Sequence, residues 1–266
     1  MGERILVTGS TGVLGRPVVE RLVAGGHSGV RAMSRSPRAG TAGADGGVEW
    51  VVADLRSGQG VAEAVAGVGT IVHCAGFTRR AAEVETVRTL VDAALRADVP
   101  PHLVYISIVG IDRIPMGYYL GKLEAERLIE ESGLPYTILR ATQFHDLVRV
   151  WLAVTARLPV MLVPAIGFQS IDVGEVADRL VELALGEPAG RVPDIGGPEP
   201  HGIRDLARTY LRATGRRRWI VTVPLPGKAM RGFRQGANLT PGQPFGRRSF
   251  EDYLAERPDP GATSYR

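Results

Sequence analysis

One cysteine, two lysines and an aromatic share of only 6% are the scarcities of this 266-residue chain, and each excludes something. Cys74 alone can form neither an intramolecular disulfide nor a multi-cysteine metal site, so reducing surroundings and no metal are expected. No apolar run approaches the roughly 20 residues that a membrane-spanning helix needs, which argues against a membrane protein. The opening "MGERILVTGS" lacks the basic leader, apolar core and cleavage site of a secretory peptide, so a cytoplasmic chain is expected. No aromatic-rich or helix-turn-helix pattern accompanies the basic cluster "GRRRW" (Arg216 to Arg218). The net charge of +4 is therefore read as arginine dispersed among acids, not as a nucleic-acid footprint.

What is present is a 44% hydrophobic composition in a length that suits one large domain, or a domain with a smaller lobe. The runs "RILVTG", "GVRAMS", "VEWVVAD", "TIVHCAG", "HLVYIS" and "YTILRA" read as strands. Between them, "GRPVVERLVAGG", "GVAEAVAGV", "AAEVETVRTLVDAALRADV" and "GYYLGKLEAERLIEESG" carry apolar residues near helical spacing. That alternation predicts an α/β fold, a doubly wound parallel sheet of Rossmann type covered by helices on both faces. Gly25 and Gly26 should stop the first helix, and Gly133 with Pro135 the last. After residue 141 the pattern loosens, with helices expected over "VADRLVELAL" and "HGIRDLARTYLRATG". We therefore divide the chain into a dinucleotide-binding domain, 1–141, and a C-terminal part, 142–266, that contributes a small substrate lobe interleaved with the sheet. The last residues of the tail are expected to be mobile.

"ILVTGSTGVLGRPVVERL" sets Gly9, Gly12 and Gly15 between the first strand and first helix. Gly9 suits a tight turn, Gly12 a close approach of backbone to pyrophosphate, and Gly15 close packing of the helix, with phosphate resting on the helix N-terminus. Thr11, Val13 and Leu14 complete this loop. About 20 residues on, where an NAD site carries an acid for the ribose hydroxyls, the chain reads "RAMSRSPR". Ser34, Arg35 and Arg38 stand there without a carboxylate. A guanidinium can bind a 2′-phosphate through paired, charge-assisted hydrogen bonds, so NADP(H) is the expected cofactor.

Tyr118 and Lys122 lie four apart and share a helix face. An ammonium beside a phenol favours the phenolate and so supplies a general acid/base near neutrality. Tyr119, three before Lys122, is a rival for the same role.

The spacing TGxxGxxG with YxxxK resembles the extended and atypical short-chain dehydrogenase/reductase superfamily. "TGSTGVLG", "YISIVGID", "YYLGKLEAERLIEESGLPYTILRATQFHD" and "FQSIDVGEVA" are similar to its NmrA-like NAD(P)H-binding branch. The resemblance implies that Tyr118 and Lys122 are the catalytic pair, with Lys122 also holding the nicotinamide ribose. It implies that Asp54 and Leu55 meet the adenine, and that Ala75, Gly76 and Phe77 form the nicotinamide-side turn. The usual catalytic Ser or Thr falls on Ile108 or Val109, so either Ser107 substitutes or that donor is missing. Thr142, Gln143, Phe144 and His145, after the sixth strand, should border the substrate crevice. His145 is either a proton relay or a loop histidine bonding its neighbours.

The reaction so implied is hydride transfer from NADPH to a conjugated carbonyl, enone or quinone-like small molecule, with Tyr118 as proton donor, in a monomer or homodimer. A redox sensor that binds NADP(H) without turnover, and a cofactor-retaining isomerase or dehydratase, are the alternatives.

Overall fold

The computed structural model describes residues 4–37, 47–242, 244–257 and 259–265. Its elements run β1 (Arg4–Thr8), α1 (Gly15–Ala24), β2 (Val30–Ser34), β3 (Glu49–Val52), α2 (Val61–Val65), β4 (Val68–His73), α3 (Arg80–Leu95), β5 (His102–Ile108), α4 (Gly117–Glu131) and β6 (Tyr136–Ala141). They continue with α5 (His145–Thr155), β7 (Val160–Pro164), β8 (Gly167–Phe168), α6 (Val173–Leu185), β9 (Gly190–Arg191) and β10 (His201–Gly202). The chain closes with α7 (Ile203–Ala213), β11 (Trp219–Val223), α8 (Lys228–Arg234) and α9 (Phe250–Ala255).

Seven strands form one parallel sheet in the order β3-β2-β1-β4-β5-β6-β9, the doubly wound order with one short strand added. β1 and β5 are buried along almost their whole length, because helices cover both faces of such a sheet. This is why they stand out in the sequence as continuous apolar runs. Strand order reverses between β1 and β4, and the turns that follow these two strands meet there.

Contact density divides the chain into two compact units. The first holds Met1–Ser107, Gly117–Leu139 and Val176–Pro193; the second holds Ile108–Met116, Arg140–Glu175 and Asp194–Arg266. In the first, Leu6, Ile71, Leu103, Tyr105 and Ile138 of the strands pack against Val87, Leu90, Val91, Ala125 and Ile129 of α3 and α4. Arg31 of β2 is buried and donates to the carbonyls of Glu63, Ala64 and Ala66, closing the C-terminal end of α2.

The second unit packs Val148 and Leu152 of α5 with Met161 and Val163 of β7, Ile203, Leu206 and Tyr210 of α7, and Phe250, Tyr253 and Leu254 of α9. Its tail departs from expectation. Buried Arg149 donates to the carbonyls of Ala262 and Ser264 and to the Tyr253 hydroxyl, so the tail is held at these residues. Among the described residues no helix is long and apolar enough to cross a membrane.

Candidate functional site

The phosphate loop is built from contacts that allow no side chain. Gly9 has φ +63°, and a Cβ there would lie 2.7 Å from the backbone nitrogen of Ala75, in the turn after β4. At Gly15 a Cβ would fall 2.2 Å from the Gly9 carbonyl oxygen, so α1 starts directly against the turn it follows. Gly12 differs: a Cβ there would meet only the Gly9 carbonyl oxygen, at 3.1 Å. Among the described residues nothing else fills the space beside Gly12. Ser10 anchors the loop to β2 by donating to the Met33 carbonyl at 2.7 Å. Leu14, at the N-cap of α1, offers no side-chain cap, and the first turn carries no acid. Pro17 in that turn has no N–H and the Arg16 N–H is given to the Gly12 carbonyl at 3.2 Å, so what the helix offers an anion is its positive dipole end. These features fit a dinucleotide's pyrophosphate.

Thr11 is exposed and Val13 half-buried, whereas Leu14 is buried in the core, so any contact from it to a ligand comes through its backbone. Leu55 is likewise a core side chain. Asp54 accepts the Arg56 N–H at 3.0 Å and so shapes its own turn at the end of β3. Ser34 ends β2 half-buried, with Arg35 exposed beside it. Arg38 lies outside the described residues.

The turn Cys74-Ala75-Gly76-Phe77 leads from β4 to α3, and the Tyr118 hydroxyl faces it. A Cβ on Gly76 would lie 3.8 Å from that oxygen. Tyr118 is half-buried, while Tyr119 is buried, its ring 6.2 Å away and edge-on to that of Tyr118. The structure thus separates the two rivals: Tyr118 borders the turn, and Tyr119 belongs to the core.

Lys122 is 3% exposed and Glu83 of α3 fully buried. The ammonium lies 2.8 Å from Glu83 Oε1, donates to the Ile106 carbonyl at 3.1 Å and sits 4.5 Å from the Tyr105 ring centroid. Tyr105 donates its hydroxyl to Glu83 Oε1 at 2.9 Å, and the Phe77 N–H donates to Oε2 at 2.7 Å. Gly121 makes this meeting possible, since a Cβ there would come within 3.0 Å of the Arg80 Cα and push α4 away from α3.

Burial pushes the Glu83 carboxyl upward, but the ammonium and the N–H of Phe77 outweigh it and hold the group below the ordinary carboxylate range. Burial likewise works against the charged form of Lys122, and Glu83 reverses this, leaving the ammonium well above its usual value. Burial, with Glu83 adding to it, keeps the Tyr105 phenol protonated well above its ordinary range.

His73 stacks on Tyr105 at 5.7 Å, and its Nδ1 lies 2.8 Å from Thr8 Oγ1. Desolvation lowers it to about 4, so the ring is neutral. Burial pushes the Cys74 thiol up to about 12, which suits a packing residue and not a nucleophile. Glu83, Tyr105 and His73 escaped the sequence reading. The signal for Glu83 was its position four residues before Val87, on the buried stripe of α3, where a carboxylate demands a partner.

Ser107 is buried near the end of β5, and its hydroxyl has no hydrogen-bond partner among the described residues. Two residues after Tyr105, it points to the same side of the sheet. Ile108 is half-buried and Val109 buried, and neither carries a hydroxyl.

The four residues expected at a substrate crevice lie in the second unit, and three are committed within it. Thr142 donates to the Gln169 carbonyl, and Gln143 accepts from Asn238 at 3.3 Å. His145, 1% exposed, is the first residue of α5 and not part of a loop. Its Nε2 meets the Arg248 carbonyl at 3.0 Å, so Nε2 carries the proton and Nδ1 accepts from Ser170 at 2.9 Å. Burial lowers its pKa. Both ring nitrogens are thus engaged by partners within the second unit. Phe144 alone of the four keeps appreciable exposed surface.

A family model described as NAD(P)H-binding matches residues 9–184. An uncharacterized protein of Mycobacterium tuberculosis is 29% identical over 190 residues, 71% of this chain but 19% of that protein, so the chain spans about a fifth of that relative's length. Quinone oxidoreductase 2 of Escherichia coli is 30% identical over 139 residues, 51% of this chain and 47% of that protein. Among solved structures, the NADPH-dependent quinone oxidoreductase of Escherichia coli in complex with NADPH gives a TM-score of 0.79 at 19% identity, covering 94% of this chain and 98% of the other. A Staphylococcus aureus nucleoside-diphosphate-sugar epimerase gives 0.79 at 18% identity, covering 95% and 100%. At these identities the structural likeness establishes the fold alone.

Proposed function

The chain belongs to the NAD(P)H-binding family, and on that premise we propose that it is an NADPH-dependent oxidoreductase of the atypical short-chain dehydrogenase/reductase type. Its substrate class in this reading is a conjugated carbonyl, enone or quinone-like small molecule. The observation that carries the proposal is the Tyr118 hydroxyl facing Gly76, four residues ahead of a buried Lys122. A binding protein with no chemistry to perform has no need of a half-buried phenol at that turn. The Escherichia coli relative that its name describes as a quinone oxidoreductase supports the substrate class.

In this reading Gly9, Gly12 and Gly15 hold the backbone open for the pyrophosphate, and the N-terminus of α1 supplies a favourable dipole end. Ser34 and Arg35 receive the 2′-phosphate, with no carboxylate in "RAMSRSPR" to repel it. The bound nicotinamide supplies the hydride. Tyr118 donates the proton to the substrate oxygen that gains charge, a contribution typically of about 10²- to 10⁴-fold. Ala75, Gly76 and Phe77 shape the wall on which the nicotinamide rests, and the Phe77 N–H bond to Glu83 holds that wall in place.

A sensor that binds the dinucleotide without turnover is the second reading, favoured by the lack of a hydroxyl at Ile108 and Val109. The two are separated by following NADPH oxidation with a panel of quinones, enones and aromatic ketones, for the native protein and Tyr118→Phe. Turnover that Tyr118→Phe loses by about 100-fold or more, with NADPH binding kept, supports the oxidoreductase. Tight NADPH binding with no turnover across the panel supports the sensor.

A further inference from the structure

The Lys122 ammonium is held by partners within the protein. Glu83 lies 2.8 Å from it and the Ile106 carbonyl 3.1 Å, and the Tyr105 ring covers a further side. Unpaired, a buried ammonium four residues from Tyr118 would act on that phenol with little screening, because few water dipoles surround it. A carboxylate at 2.8 Å opposes that field, so the charge reaching Tyr118 is that of a dipole and not of a cation. Glu83 also ties together three elements: the turn after β4 through Phe77, β5 through Tyr105, and α4 through Lys122. From this geometry we propose that Glu83 is a positioning residue that sets the charge Tyr118 meets, holding Lys122 compensated beneath the nicotinamide-side turn. The inference rests on the reading of Tyr118 as the reacting hydroxyl. The competing account is a buried ion pair with a structural role only, which is common.

The groups facing this cluster are few. From β4 come His73, neutral above about pH 4, and Cys74, a thiol up to about pH 12. From β5 comes Tyr105, which stays a phenol well above its ordinary range because of its burial. α4 adds Tyr119, and α3 adds Arg80, which is exposed and paired with Glu124 at 3.0 Å. His73, Cys74 and Tyr105 keep their charge across the alkaline range where a phenol ionises.

The test follows ionisation of Tyr118 in the full-length protein, saturated with NADPH, by NMR of tyrosine carrying a carbon label at Cζ. The Tyr118 signal is assigned by its loss in Tyr118→Phe, and Tyr119→Phe controls for its neighbour. Glu83→Gln, which keeps the shape and removes the charge, should move the Tyr118 midpoint down by about one pH unit or more, a tenfold change in ionisation constant. Lys122→Met should move it up, and the double variant should bring it back close to the native midpoint. Midpoints that coincide in all folded variants would leave only the structural role and overturn the proposal. If Glu83→Gln does not fold, Glu83→Asp keeps the charge but draws it back by one methylene; a lowered midpoint supports the proposal and an unchanged one overturns it. Turnover measured on the same samples keeps the two ideas apart. A native protein without turnover whose midpoints still shift would sink the oxidoreductase reading and leave the coupling standing. Turnover with immovable midpoints would do the reverse.

Discussion

Adding one methyl group at Gly12 and one at Gly15 should separate binding from stability in the phosphate loop. At Gly15 the new Cβ would stand 2.2 Å from the Gly9 carbonyl oxygen and 2.8 Å from the Ser10 Cα. Both are backbone atoms that cannot rotate aside, so α1 must retreat by about 1 Å to reach ordinary contact, an overpacking that costs about 1–3 kcal/mol. For a chain of this size each kcal/mol lowers Tm by roughly 2–4 °C, so Gly15→Ala should melt about 2–12 °C lower. At Gly12 the new Cβ meets a single atom at 3.1 Å. The fold should barely register it, with a stability change within about 0.5 kcal/mol. In the proposed reading the space it fills is that of the pyrophosphate, so NADPH affinity should fall by roughly 10- to 100-fold, equivalent to about 1.4–2.8 kcal/mol. Thermal melts and calorimetric titration with NADPH give both quantities on the same samples. A Gly12→Ala protein that binds NADPH like the native one, or that melts as low as Gly15→Ala, would refute the assignment of this loop.

Three further outcomes are expected. Arg35→Ala should weaken NADPH binding by about 10-fold or more and leave NADH almost unchanged, since only the former carries the 2′-phosphate; equal loss for both in the same titration removes that assignment. His73 binds a proton less readily folded, at about 4, than at its ordinary 6.5. Its contribution to stability is therefore complete above about pH 6.5 and declines as pH falls toward 4, by about 1.4 kcal/mol per unit and about 3 kcal/mol in all. Denaturant unfolding between pH 4.5 and 6.5 should show a shallower slope for His73→Phe than for the native protein. The difference between the two isolates this ring, because His102 and His145, also lowered by burial, contribute to both. Arg149→Met should release residues 259–265 and cost about 3 kcal/mol, the usual scale for losing one member of a buried charged network. Limited proteolysis should then remove the tail from the variant first, and equal protection in both proteins would contradict the anchoring role.

The six strands and four helices around the dinucleotide loop were legible because a parallel sheet buried on both faces writes itself as apolar runs, and Gly9, Gly12 and Gly15 sit where backbone geometry forbids a side chain. β9, two residues long, carries too little pattern to be read. α5 was hidden for a different reason: its buried face carries Asp146 and Arg149, and their partners Tyr253, Arg257, Ala262 and Ser264 lie more than a hundred residues away. The same charges account for the misjudged tail.

By itself, the sequence determined that this chain makes a Rossmann-type sheet with a glycine loop, and that a tyrosine and a lysine share one face of α4. Those facts depend on local backbone freedom and on helical and strand periodicity, which neighbouring residues write down together. Only the tertiary structure decided which tyrosine borders the turn, that Lys122 is matched by Glu83, and that both nitrogens of His145 are engaged. Each of those depends on a partner brought in from another element, and the stability of a buried charge is a property of the pair, invisible in either residue alone.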